Sequence, residues 1–133
     1  MFNMDCYPSV VNSIFWGNIA EAGAQIYNDS SSPTVTYSDI EGGYTGVGNI
    51  NANPRFIRLP DPDADGTWGT LDEYFADLHL LIPSPAIDAG SNTAVPPGVT
   101  TDLDGDPRIL NDVVDMGADE FGLKVIFLTI IQR

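Results

Sequence analysis

Three aspartates alternate at the start of Asp61-Pro62-Asp63-Ala64-Asp65-Gly66-Thr67-Trp68-Gly69-Thr70-Leu71-Asp72-Glu73, and a further carboxylate falls at the twelfth position. This is the ligand spacing of a calcium loop of the EF-hand kind. Ca²⁺ is a hard cation that takes about six to eight oxygens, and alternate residues of a tightly curled loop aim at one centre. Asp61, Asp63, Asp65 and Asp72 are the expected side-chain ligands, and Thr67 offers its carbonyl. Gly66 permits the turn and Gly69 leaves room for water. Asp72 is shorter than the bidentate Glu that usually closes such loops, so either the loop tightens or Glu73 assists. Pro60 and Pro62 argue against a helix leading directly into the loop. The competing reading is an exposed acidic turn with no ion.

Other candidates carry weaker signals. Asp102, Asp104 and Asp106 repeat the alternation, but Pro107 and Arg108 follow, which favours a turn in which Arg108 pairs with a nearby carboxylate. Asp88 and Asp115 sit among apolar neighbours, where a carboxylate needs hydrogen-bond donors. Both are expected to accept backbone N–H bonds in tight turns. Asp119 and Glu120 would face opposite ways in a strand, which disfavours an acid–base pair. Trp16, Tyr37, Tyr44 and Trp68 read as core aromatics in preference to a sugar-stacking surface. His79, between leucines, reads as a packed or hydrogen-bonded histidine. Cys6 is the single cysteine, so no internal disulfide forms, and a nucleophile role would require His79 as its partner.

The elements that must position these residues are short. The 133 residues suit one domain. Nineteen acidic against five basic side chains give a net charge of −14, and 13 of the acids fall within 61–77 and 102–120. That balance argues against nucleic-acid binding, which needs Lys and Arg on phosphates, and disfavours anionic lipid. Met1–Val11 has no signal-peptide pattern, and the apolar run Val125–Ile131 is too short to span a membrane. It reads as a buried strand or as the start of a longer segment. Thirteen glycines and ten prolines disfavour long helices. β-like runs remain at Val10–Trp16, Gln25–Tyr27, Thr34–Tyr37 and Asn49–Asn53, separated by Gly, Asn, Asp or Pro. From pattern alone, a parallel β-helix with asparagines at its corners and a small antiparallel sandwich are equally open.

Three motifs add a resemblance. Ser84-Pro85-Ala86-Ile87-Asp88-Ala89-Gly90, Thr101-Asp102-Leu103-Asp104-Gly105-Asp106-Pro107-Arg108 and Val114-Asp115-Met116-Gly117-Ala118-Asp119-Glu120 resemble the closing signature of choice-of-anchor Q domain proteins. The upstream stretches Asn12–Asn18, Val35–Tyr44 and Gly48–Phe56 resemble their last rungs. The resemblance covers roughly residues 10–122 and implies an all-β fold: the C-terminal rungs of a right-handed parallel β-helix of the pectin-lyase kind, with a loop-rich cap. It implies terminal rungs over 1–60, cap motifs over 74–122 and a tail at 123–133, with the calcium-type loop read from its spacing at 61–73 between rungs and cap. It further implies a C-terminal fragment of a longer secreted or bacterial cell-surface protein, and a cell-surface polysaccharide or another surface protein as partner. The expected function is a non-catalytic structural or adhesion module stabilised by Ca²⁺. The alternative is a fragment of a polysaccharide lyase or glycosidase that lacks its catalytic rungs, for which Arg55, Arg58 and Arg108 are the only conceivable bases. A dockerin-like module would need a second good calcium loop.

Overall fold

The computed structural model describes residues 1–59 and 76–122. Eight short strands and one 3₁₀ turn make up its regular structure: β1 Phe2–Met4, β2 Ser9–Val11, β3 Ile14–Phe15, β4 Tyr27–Asp29, β5 Thr34–Thr36, β6 Asp39–Ile40, β7 Phe56–Arg58, β8 Asp77–Leu80, and the turn Asn92–Ala94. No helix among the described residues is long and apolar enough to cross a membrane.

The strands pair two by two. β1 lies parallel to β4, β2 to β5 and β3 to β6, with Phe2 opposite Tyr27, Ser9 opposite Thr34 and Ile14 opposite Asp39. Every one of these partners is 25 residues downstream, and side chains repeat the spacing. Asn3 Nδ2 donates to Asn28 Oδ1 at 2.8 Å, and the Ser13 N–H donates to Ser38 Oγ at 3.2 Å. The corners match as well. Asp5 and Ser30, Asn12 and Tyr37, and Gly17 and Gly42 all have positive φ. The sequence carries the same period in Asn3/Asn28, Pro8/Pro33, Val10/Val35, Ser13/Ser38 and Gly17/Gly42. A backbone that turns at fixed intervals returns equivalent residues to the same corner, where Asn and Gly tolerate the left-handed conformation.

The expected right-handed parallel β-helix does not follow from this pairing. Among the described residues the strands form four separate two-stranded sheets, with no closed or continuous coiled sheet. The fourth pair, β7 with β8, is antiparallel and irregular in register. The physical reason lies after β6. Gly42 and Gly43 both adopt positive φ, and the chain returns early, so that Ile50 bridges Asp39 only 11 residues on. That breaks the 25-residue spacing, and a stack of this kind needs about three or more repeats to cover its apolar faces.

The apolar faces are covered from the other side of the chain instead. Leu80, Ala86 and Met116 form a buried cluster, against which Ile14, Tyr37, Ile50, Phe56, Ile87 and Ala89 pack. Val35, Ile40 and Val114 are also buried. Asp39 is wholly buried. Its Oδ1 accepts the Ala52 N–H at 3.1 Å, its Oδ2 has no hydrogen-bond partner among the described residues, and burial raises its carboxyl above the usual range.

Candidate functional site: a carboxylate-wired closing segment

Residues 81–122 contain almost no regular structure, so their backbone groups must be satisfied by other means. Asp115 does this for two turns at once. It is 2 % exposed; Oδ1 accepts the Asp88 N–H at 2.7 Å and Oδ2 the Phe121 N–H at 2.6 Å. Burial raises its carboxyl, and those two N–H groups act against the rise. Asp88 contributes its backbone N–H, while the residue itself stands exposed in a left-handed conformation. The expected turn-capping role therefore belongs to Asp115.

Asp102 organises the next turn. Its Oδ1 accepts the N–H groups of Asp104 and Asp106 at 3.0 and 2.8 Å, and its Oδ2 accepts the Glu120 N–H at 3.1 Å. Partial burial works against ionisation, but these N–H groups and that of Gly105 outweigh it and hold the carboxyl below the usual range. Arg108 pairs with Glu120 through Nη1 and donates from Nη2 to the Gly117 carbonyl at 2.9 Å. The Glu120 carboxylate also accepts the Asp115 N–H. Burial pushes Glu120 up to about 7, against the opposing pull of that N–H and of Arg108.

Asn12 ties this network to the paired strands. Its Nδ2 donates to the Ser91 carbonyl at 3.0 Å, and its Oδ1 accepts the Ser91 N–H at 2.7 Å. Its own carbonyl accepts the Gly117 N–H. Gly90 fits beside it because it lacks a Cβ: an added methyl would stand 2.7 Å from the Val114 carbonyl and 3.0 Å from Asn12 Oδ1.

Where β8 meets this network, one imidazole faces three carboxylates. His79 Nδ1 lies 2.5 Å from Asp77 Oδ1, and Nε2 lies 3.0 Å from Asp104 Oδ2 and 3.8 Å from Asp119 Oδ1. The contacts with Asp104 and then Asp77 raise the histidine to about 9, and the same contact lowers Asp77. Burial raises Asp119. A cleft of about 670 Å³ adjoins the cluster, lined by apolar Ile14, Phe56, Leu80 and Met116 and by polar Arg58 and His79.

The expected ligands Asp61, Asp63, Asp65, Thr67, Asp72 and Glu73, and Trp68 with them, lie outside the described residues. Arg108 is committed to Glu120 and Gly117 and is not free to act as a base. Among the aromatics, Tyr37 packs on the core cluster, while Trp16 and Tyr44 are half-buried. The grouping of His79 with Asp104 and Asp119 was not foreseen from sequence. The alternation Asp77-x-His79 in a strand was its one visible trace, because it puts both side chains on one face. A positively charged imidazole held by carboxylates does not serve as a general base. Within the cleft, Ser13 Oγ donates to the Val11 carbonyl at 2.9 Å instead of to His79.

Comparison of the chain with protein-family models, curated proteins and solved structures finds no match.

Proposed function

We propose that this chain is a non-catalytic structural and adhesion module of a secreted or bacterial cell-surface protein. One observation carries the reading: three carboxylates of the closing motifs and one amide of the paired strands are spent on ordering backbone. Asp102, Asp115 and Asn12 accept N–H groups from distant turns, and Glu120 accepts that of Asp115. A site built for turnover would leave such groups facing a substrate. The likeness of residues 84–90, 101–108 and 114–120 to the closing signature of choice-of-anchor surface proteins supports the extracellular setting. Ca²⁺ at the 61–73 loop belongs to the same reading, because extracellular calcium is plentiful enough to fill a weak site and so stabilise the folded chain. The partner fitting this role is a cell-surface polysaccharide or another surface protein.

The test has two arms. Incubation of the full chain with polygalacturonate and other acidic glycans should give no product above background; measurable turnover would overturn the non-catalytic reading. Excess Ca²⁺ should raise the melting temperature, and Asp63→Ala combined with Asp65→Ala should abolish that rise. Coincident melting curves in EDTA and in Ca²⁺ would remove the calcium claim alone.

A further inference from the structure

Three potential ligand atoms converge where β8 meets the closing segment: His79 Nε2, Asp104 Oδ2 and Asp119 Oδ1, all within 4.8 Å of one another. In a tetrahedral site with metal–ligand bonds of about 2.0–2.2 Å, ligand atoms stand roughly 3.3–3.5 Å apart. The two measured separations from Nε2, 3.0 and 3.8 Å, bracket that value.

Asp119 supplies an independent observation. It is 9 % exposed. Its carboxyl hydrogen-bonds with the Asp102 side chain, pairs with His79 Nε2 at 3.8 Å and faces the Asp104 carboxyl. A covered carboxylate turned towards two others needs positive charge close by, and the imidazole supplies it only at the outer limit of an ion pair. This one is aimed at the point where the other two ligand atoms meet. On the opposite edge of the ring, Asp77 holds Nδ1 at 2.5 Å. A carboxylate there fixes the tautomer that presents the Nε2 lone pair, the arrangement found behind most metal-bound histidines.

We propose that His79, Asp104 and Asp119 form a binding site for a divalent first-row transition metal of the Zn²⁺ class, with Asp77 as the residue that orients the imidazole. The donor set selects this class over Ca²⁺, which prefers oxygen alone and more of it; imidazole with two carboxylates suits zinc. The His79 and Asp104 side chains are 44 % and 41 % exposed, so solvent supplies the fourth ligand. The bound ion replaces the proton now shared between the imidazole and its carboxylates. It pins β8 to the turns at 102–106 and 117–120. The site is separate from the 61–73 loop and does not depend on the function proposed above.

The full chain, stripped with EDTA and dialysed, is titrated with Zn²⁺ by calorimetry and with Co²⁺ by visible absorption. One Zn²⁺ per chain should bind with a Kd near or below ~10 μM. His79→Ala and Asp104→Asn, both at exposed side chains, should each weaken binding by about 100-fold, and Asp77→Asn by roughly tenfold. Asp63→Ala with Asp65→Ala should leave it unchanged, which separates this site from the acidic loop. Circular dichroism on each variant confirms folding. Absence of binding at ~1 mM Zn²⁺, or parental affinity in both His79→Ala and Asp104→Asn, would overturn the site. Complete displacement of Zn²⁺ by an equal concentration of Ca²⁺ would overturn its class.

Discussion

Residues 1–40 and residues 81–122 solve the same problem in opposite ways. The first region satisfies its backbone by repetition: three parallel strand pairs share one 25-residue spacing, and corner residues recur with it. The second has almost no strand pairing, and single carboxylates do the work of a ladder. A ladder spreads its hydrogen bonds over many residues, so any one side chain matters little. A wired segment concentrates them, so the loss of one side chain strands several buried donors. The two regions should therefore differ sharply in their tolerance to substitution, although both border the same apolar core.

The sharpest way to break that contrast is Asp115→Ala. It leaves the N–H groups of Asp88 and Phe121 without their acceptor, at about 1–3 kcal/mol each. Denaturant unfolding should show a loss of roughly 3–5 kcal/mol or no folded state at all; a loss under ~1 kcal/mol would mean the wiring is dispensable. Next comes pH. Glu120 has a fully covered side chain, and its folded value of about 7 lies above the ordinary 4.5. Its contribution is therefore complete below pH 4.5 and disappears as pH rises through 7. The swing is at most on the order of 3 kcal/mol. Glu120→Gln should flatten that part of the stability curve between pH 4.5 and 8, and an unchanged slope would assign it to other groups. Gly90→Ala follows, at about 1–3 kcal/mol, because the new methyl meets backbone that cannot step aside. Phe2→Ala should cost least. Phe2 stacks on Tyr27 with ring centroids 5.4 Å apart but is 64 % exposed, so a loss of roughly 0.5–1 kcal/mol is expected. A loss equal to that of Asp115→Ala would erase the difference between the regions.

Local chemistry was legible before any coordinates. The Thr34–Tyr37 run holds β5, and Val10–Trp16 holds most of β2 and all of β3, interrupted by Asn12 at φ 50°. A role for Asp115 in accepting backbone N–H groups, and an acidic partner for Arg108, followed from the rule that buried charge must be satisfied. What lay beyond reach was distance. Glu120 as the partner of Arg108, Ser91 as that of Asn12 and Asp104 as that of His79 depend on how separated segments meet, which no local pattern encodes. β8 went unread because its residues, Asp77–Leu80, run into Leu81-Ile82 and then Pro83 and Pro85 with no clear strand boundary. The likeness to surface proteins led to a β-helix, whereas Gly42, Gly43 and the early return at Ile50 end the spacing after two layers. The 25-residue period was present all along in Asn3/Asn28, Pro8/Pro33 and Gly17/Gly42, diluted by the unlike residues between those pairs.

The link between Asn12 and Ser91 also sets a timetable. Ser91 is made 79 residues after Asn12, and a ribosome adds about 5–20 residues per second, so the amide waits roughly 4–16 s for its native partner. Throughout that interval the nascent chain can align its early strands but cannot fasten them. The emerging polypeptide is thus most vulnerable to proteases and to neighbouring chains until Ser91 has emerged.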